Sequence, residues 1–171
     1  MKHDRPIILV DSREKTPLPV GRYLSTLPAG LQSGDYSLLG FEDQFAVERK
    51  SIADLTGSLV GASRERFERE LHRLRGFRFK RLLVVGDPED LRKHRYRNKI
   101  PPKSVFAALA AYEMRFDLPT VWQPGELEAA RLVARWAHFF HREAIRPFEK
   151  VASCSIEHAC GSSTLQLVSS D

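Results

Sequence analysis

The order of apolar runs along the chain predicts an α/β fold, a mixed central sheet with helices on both faces. Short runs of β-branched and aromatic residues, the mark of strands, recur near residues 7, 36, 45, 82 and 120. Between and after the later runs, apolar residues repeat at helical spacing: Phe67, Leu71 and Leu74, then Val105, Leu109 and Tyr112, then Leu132, Trp136, Phe139 and Phe140. With 171 residues and 42% apolar composition the chain can bury one core and hardly two. Residues 1–148 are therefore expected to form a single domain, and the Ser-rich, aperiodic residues 149–171 a poorly ordered tail.

Ile7 to Val10 reads as a buried strand that delivers Asp11, Arg13 and Glu14 at its end. In open α/β sheets functional sites gather at such ends. Asp11 and Arg13 can equally pair with each other or cap the following turn, and both readings stand at this point. Thr16-Pro17 and Pro19 open a loop. Arg22 to Leu27 is expected to make one or two helical turns, with Tyr23, Leu24 and Leu27 facing the core and Pro28 ending it.

The stretch from Gly34 to Lys50, GDYSLLGFEDQFAVERK, reads as a β-hairpin. Tyr36 to Leu39 and Phe45 to Glu48 are its strands, and Gly40, Glu42, Asp43 and Gln44 its turn. Strand periodicity puts Glu48 and Lys50 on one face, Val47 and Arg49 on the other. In register, Asp35 approaches Glu48 across the ladder, so two carboxylates meet beside one ammonium. Mg²⁺ takes oxygen ligands, commonly one or two carboxylates, and completes its shell with water and substrate phosphate. A lysine beside such an ion can orient or deprotonate a water, and the reaction implied is phosphodiester hydrolysis. The plain alternative is an exposed hairpin whose charges pair on its solvent face.

Ser51 with Asp54 three residues later makes a capping-box start for a short helix holding Ile52, Leu55 and Leu59. The Arg49 side chain either fixes its strand through an ion pair or reaches a phosphate. Ser63 is expected to cap a second helix running to about Arg75. From Arg64 to Arg81 there are eight basic residues and three acidic ones, among them Arg64, Arg66 and Arg69 as phosphate contacts or as partners of Glu65, Glu68 and Glu70. Phe79 to Val85 is a strand, followed by the turn Gly86-Asp87-Pro88. Arg92 to Lys103 then carries six Lys or Arg, a histidine and a tyrosine, with no acid. Charge for a backbone and a ring for an unstacked base are what branched or single-stranded nucleic acid needs, and Arg95, Arg97 and Lys99 are its candidate contacts. A helix from Ser104 to about Arg115, a strand Thr120 to Trp122 and a helix Glu126 to Glu143 complete the pattern.

Composition removes several classes. No stretch reaches the ~18 apolar residues of a membrane span, and MKHDRP lacks a signal-peptide apolar region, so a cytoplasmic protein is expected, nucleoid-associated or nuclear according to its cell. The two cysteines, Cys154 and Cys160, exclude a disulfide framework. With His158 they are three soft ligands in the tail, short of a zinc site. A net charge of +5 and a pI near 9.4 suit a polyanionic partner.

In order, ILVDSRE (Ile8 to Glu14), Gly34-Asp35-Tyr36, VERKSIAD (Val47 to Asp54), LTGSL (Leu55 to Leu59) and Arg66-Phe67 resemble the XPF-type nuclease domain of structure-specific DNA endonucleases. The likeness is strongest over residues 7 to 75 and extends to about residue 146. It implies a restriction-endonuclease-like sheet and a Mg²⁺- or Mn²⁺-dependent endonuclease cutting branched or flapped DNA in repair or recombination. It also implies that Asp35, Glu48 and the Arg49 carbonyl hold the metal, that Lys50 acts on the water, and that Asp11 and Glu14 line the site, with Arg13 at the DNA. Glu70 stands where the family pattern has glutamine, and the hairpin is longer than usual. Nucleases of this kind generally act as dimers, so a homodimer or a nuclease-fold partner is expected. Two other classes fit the residues: a non-catalytic DNA-binding subunit, against which intact Asp35, Glu48 and Lys50 argue, and a basic RNA-binding protein, which competition between DNA and RNA would separate.

Overall fold

A computed structural model describes residues 5–161. Six strands form one sheet: β1 (Ile8–Asp11), β2 (Thr26–Ala29), β3 (Tyr36–Leu38), β4 (Phe45–Ser51), β5 (Phe79–Val85) and β6 (Thr120–Gln123), in the order β2-β1-β3-β4-β5-β6. The β1–β3 and β3–β4 pairs are antiparallel and the other three are parallel, so the sheet is mixed, as expected. The helices are α1 (Ile52–Ser58), α2 (Gly61–Leu74), α3 (Pro88–Arg92), α4 (Pro102–Phe116) and α5 (Glu126–Gly161).

Strand alternation sorts the core into two layers. Phe45 and Val47 of β4 and Leu83 of β5 pack with Tyr36, Leu38 and the Ala129, Val133, Ala137 and Phe140 stripe of α5. Ala46, Leu82 and Val84 point to the other face, against Leu55, Phe67, Leu71, Val105 and Tyr112 of α1, α2 and α4. Covering both faces explains why β5 reads as the unbroken apolar run Leu82 to Val85. Lys80 is buried, and its Nζ donates to Asp117 at 2.7 Å and to the Phe77 carbonyl at 3.1 Å. Asp117 ends α4 in the left-handed region, at φ 52°.

Four expectations change. Residues 22–27 are not a helix: a 3₁₀ turn occupies Val20–Arg22, and Thr26–Ala29 is a sixth strand, parallel to β1. Pro28 does not break it because β2 is an edge strand, where a missing N–H is tolerated. Tyr23 and Leu24 pack on the core, but Leu27 is 46% exposed. Helix α2 starts at Gly61, not Ser63, because the chain turns sharply at Gly61, φ 54°, straight out of α1. Helix α4 starts at Pro102, whose fixed φ suits a first turn and whose missing N–H is not needed there. Helix α5 passes Pro147, which forfeits one backbone bond without stopping the helix. The side chains of Cys154, His158 and Cys160 and all of residues 162–171 lie outside what is described. Among the described residues no helix is long and apolar enough to cross a membrane.

Tyr36 joins the first layer to the loop beneath it: the Leu18 N–H donates to the Tyr36 hydroxyl oxygen at 2.7 Å, with both residues buried. Tyr36→Phe strands that N–H in a dry core. The expected loss, read from chemical denaturation, is ~1–3 kcal/mol with an unchanged denaturant slope.

Candidate active site

The two faces of β4 separate its charged residues. Val47 C=O accepts the Asp35 N–H at 2.9 Å, and Arg49 N–H donates to Asp35 Oδ2 at 2.7 Å. Because backbone groups two residues apart point the same way, the Arg49 carbonyl also faces the Asp35 side. Glu48 and Lys50 project together to the α2 face, where Lys50 Nζ donates to Glu48 Oε1 at 2.7 Å and lies 5.1 Å from the Phe67 ring centre. The Arg49 side chain emerges on the opposite face, 3.7 Å from Glu14 and 3.3 Å from Glu126. Of its two readings, the structure gives the ion pair.

Asp35 and Glu48 meet in a cleft of about 250 Å³ lined also by Asp11, Glu14, Lys50 and Glu70. Burial and then repulsion from Glu48 push Asp35 up to about 7, and the Arg49 N–H and Lys50 only partly oppose this. Burial raises Glu48 as well, against the pull of Lys50. For Lys50, burial favours the neutral amine, but Glu48 outweighs it and the pKa is raised. Lys50 is an ammonium in this site.

The flanking residues are already paired. Asp11, 4% exposed, accepts from the Arg13 backbone N–H at 2.9 Å and from its guanidinium at 2.5 Å, which holds its pKa low. Arg13 also donates to the Leu31 carbonyl at 2.7 Å, while most of its side chain stays exposed. Of the helix arginines, Arg64 pairs with Glu68 at 2.9 Å, Arg69 is exposed on the surface, and Arg66 lines a second hollow of about 430 Å³ that adjoins the cleft through Lys50 and Glu70. Asp54 caps α1 together with Ser51, as expected: Ser51 Oγ accepts the Asp54 N–H at 3.1 Å and donates to Oδ2 at 2.6 Å.

The basic segment 92–103 is not free of counter-charge. Arg92 pairs with Glu89, and Arg95 with Asp90 at 3.0 Å, both acids lying in α3 just before the segment. Arg97 and Lys99 remain exposed. The segment is pinned beside α1: Asn98 donates to the Thr56 carbonyl at 3.2 Å, Tyr96 OH donates to the Ile100 carbonyl at 2.6 Å, and Tyr96 stacks on His94 at 4.4 Å. The sequence places neither Gln32, Ser33 and Arg73 nor, by its own spacing, Glu70 in the cleft. Glu70 and Arg73 stand one turn apart on α2, three positions away from each other, and that spacing shows a shared helix face without showing that the face meets the hairpin.

Comparison with known proteins gives two kinds of match. The sequence pattern of the ERCC4 domain family matches residues 10–136. The solved structure described as XPF from Aeropyrum pernix is similar with a TM-score of 0.64 and 26% identity, over 78% of this chain and 61% of that one. XPF from Aeropyrum pernix in complex with DNA is similar with a TM-score of 0.64 and 27% identity, over 84% of this chain and 66% of that one. The chain thus spans less than two thirds of either. No curated protein matches it.

The raised pKa of Asp35 has a consequence for stability. Its folded value near 7 exceeds the 3.8 of an ordinary aspartate, so the native state binds the proton more tightly. That contribution is complete below about pH 4, is lost as pH rises through 7, and leaves a repulsive carboxylate above. Asp35→Asn keeps the acceptor for Arg49 N–H and removes the repulsion. In metal-free buffer at pH 8 its Tm is expected to exceed the parent's by a few degrees, on the order of 1–2 kcal/mol, with the gain vanishing toward pH 4.

Proposed function

The chain belongs to the ERCC4 domain family, and we propose that it is a divalent-metal-dependent endonuclease that hydrolyses phosphodiester bonds in branched or flapped DNA. Its six-stranded mixed sheet with flanking helices is the restriction-endonuclease-like fold of the XPF structures. The observation that carries the proposal is the charge of the cleft. Five acids and three basic residues line it, although the whole protein carries a formal charge of +5. Asp11 is matched by Arg13, Glu14 by Arg49 and Glu48 by Lys50, while Asp35 and Glu70 have no ion-pair partner among the described residues. A phosphodiester cannot approach such a cleft unless cations enter with it.

The donor set fits Mg²⁺ or Mn²⁺. Its oxygens are hard, two carboxylates suffice for a hydrated Mg²⁺, and a cation would offset the repulsion between Asp35 and Glu48. No group of three or more His, Cys, Asp or Glu poised as a metal centre occurs among the described residues, which argues against a cage of protein ligands alone. In this reading Asp35, Glu48 and the Arg49 carbonyl hold the ion. When bound, it supplies charge stabilisation at the phosphate and lowers the pKa of a coordinated water. Lys50, held as an ammonium, orients the attacking water and neutralises a phosphate oxygen, so its role is positional and electrostatic. The Arg49 ion pairs to Glu14 and Glu126 hold β4 from behind, and the Asp11–Arg13 pair fixes the cleft's other rim.

DNA is the proposed partner, contacted by Arg13, Arg66, Arg69, Arg97 and Lys99, with Arg64 and Arg95 available once released from Glu68 and Asp90. A second nuclease-fold chain is the other. Phe139 stands 47% exposed on α5 beside Trp136, and β6 leaves a sheet edge open. If that chain is a second copy, sedimentation is expected to give twice the 19.5 kDa chain mass; a monomer at all concentrations would remove the homodimer and leave a different nuclease-fold partner.

Glu48 and Lys50 touch each other but have different tasks, which separates two variants. Glu48→Gln is expected to weaken Mg²⁺ binding, bring cleavage of a flapped duplex near background and leave DNA binding intact. Lys50→Ala is expected to keep metal binding while kcat falls by about 10²-fold or more. Parental cleavage by both variants would sink the nuclease reading.

A further inference from the structure

The carboxylate cleft does not end at Arg73. Gln32, Ser33 and Arg73 are shared with a larger hollow of about 660 Å³ beyond the end of α2. Its floor is Leu9, 4% exposed, and Leu31, 7% exposed, and the half-buried ring of Phe77 forms a wall. Glu42 and Asp43, both exposed in the hairpin turn, stand on its rim. Neither Arg73 nor Gln32 has a hydrogen-bond or ion-pair partner among the described residues.

Passing outward from the carboxylates, a strand would therefore meet the guanidinium of Arg73 where the two hollows join, and beyond it a hollow that offers an apolar floor, one aromatic wall and two carboxylates. A nucleotide presents the complementary set: an anionic phosphate, a flat base with apolar faces, and exocyclic amino hydrogens on the base edge. We propose that this hollow takes the base of one unpaired nucleotide next to the scissile phosphate. The proposal rests on the nuclease reading of the adjoining cleft and names the part of the substrate that the cleft alone does not select.

In this arrangement Arg73 holds the neighbouring phosphate. It lies one turn beyond Glu70, ~5 Å along the helix axis, so it is adjacent to whatever phosphate sits at the carboxylates. The base stacks on Phe77 and lies over Leu31, and its amino-bearing edge turns to Glu42 and Asp43 with the Gln32 amide alongside. A base whose edge is spent on those side chains has left its complement. Duplex DNA thus loses this contact, while a flap or a strand at a branch gains it. Adenine, cytosine and guanine carry the amino group and thymine does not, so the acidic rim also predicts a preference against thymine.

Excess pocket volume is compatible with a base and its sugar, and the acids disfavour the backbone itself running through the far side. The strand must therefore turn away there.

The test uses flapped oligonucleotides with a single abasic residue, moved one nucleotide at a time through three positions on either side of the cleaved bond. Binding is read by fluorescence anisotropy with Ca²⁺ and cleavage with Mg²⁺. At one position, removal of the base is expected to weaken binding about tenfold, and thymine there should bind several-fold less well than adenine. Phe77→Leu should abolish the difference between abasic and normal substrates. Should that variant not fold, the double substitution Glu42→Gln and Asp43→Asn, at exposed positions, should raise thymine to the level of adenine. A base effect below twofold at every position, or a discrimination against thymine untouched by the rim substitutions, overturns the proposal. Cleavage without any base effect removes the hollow and leaves the nuclease reading standing. Base-dependent binding without cleavage keeps the hollow and removes the nuclease reading, and absence of DNA binding overturns both.

Discussion

Two like charges held in one partly buried cleft are the constraint on which the rest of this structure depends. Burial, and then repulsion from Glu48, raise the pKa of Asp35. The chain holds the two carboxylates together through groups that cannot move independently. Asp35 is tied by its own N–H and by its carboxylate to the backbone of β4, so it travels with the strand that carries Glu48. Next to it, Tyr36 is fully buried and fastened to the Leu18 N–H. Both faces of β4 are then covered, by α5 on one side and by α1, α2 and α4 on the other, which makes the repulsion a local expense against an extensive apolar core. Such strain persists only where the surroundings over-determine it.

The alternation of β4 does a second thing. By sending Glu48 and Lys50 to one face and Arg49 to the other, it lets three consecutive charged residues be buried or half-buried without meeting as one cluster. Arg49 finds Glu14 from the turn after β1 and Glu126 from the start of α5, so elements 77 residues apart are joined behind the cleft. Lys50 finds Glu48 and the face of Phe67. Moving any of these residues by one position would exchange the faces and bury an unpaired charge.

How much of this was legible in the sequence depends on the range of each interaction. The hairpin, the split of Glu48 and Lys50 from Arg49, and the Ser51–Asp54 cap are set within a few residues by period-two and capping rules, and they read correctly. Strand β2 did not, because four residues containing a proline satisfy no strand pattern; only the parallel partner β1 makes them a strand. The basic segment at 92–103 contains no acid of its own, and the partners of Arg92 and Arg95, Glu89 and Asp90, lie just before it in α3. Glu70 and Arg73 belong to the cleft through the packing of α2 against the sheet, and nothing in their own spacing specifies which surface a helix face will meet.

Helix α2 also bears on how a cleft rich in acid could serve the polyanion proposed for it. Its residues Arg66, Glu70 and Arg73 follow one another along the groove wall at spacings of four and three, placing a cation on each side of the acidic residue. The groove thus alternates in sign along its length, positive at Arg66, negative around Glu48 and Glu70, positive again at Arg73. A phosphate backbone can lie along such a surface only in registers that put its charges against the arginines, and the negative stretch between them admits a phosphate only together with a cation. If the groove is the proposed nuclease site, affinity for the strand and affinity for the ion would be linked, each raising the other by the same factor. In that proposal glutamine at position 70 would keep the arginines but weaken the linkage, the acidic residue being what ties occupancy of the groove to occupancy of the carboxylates.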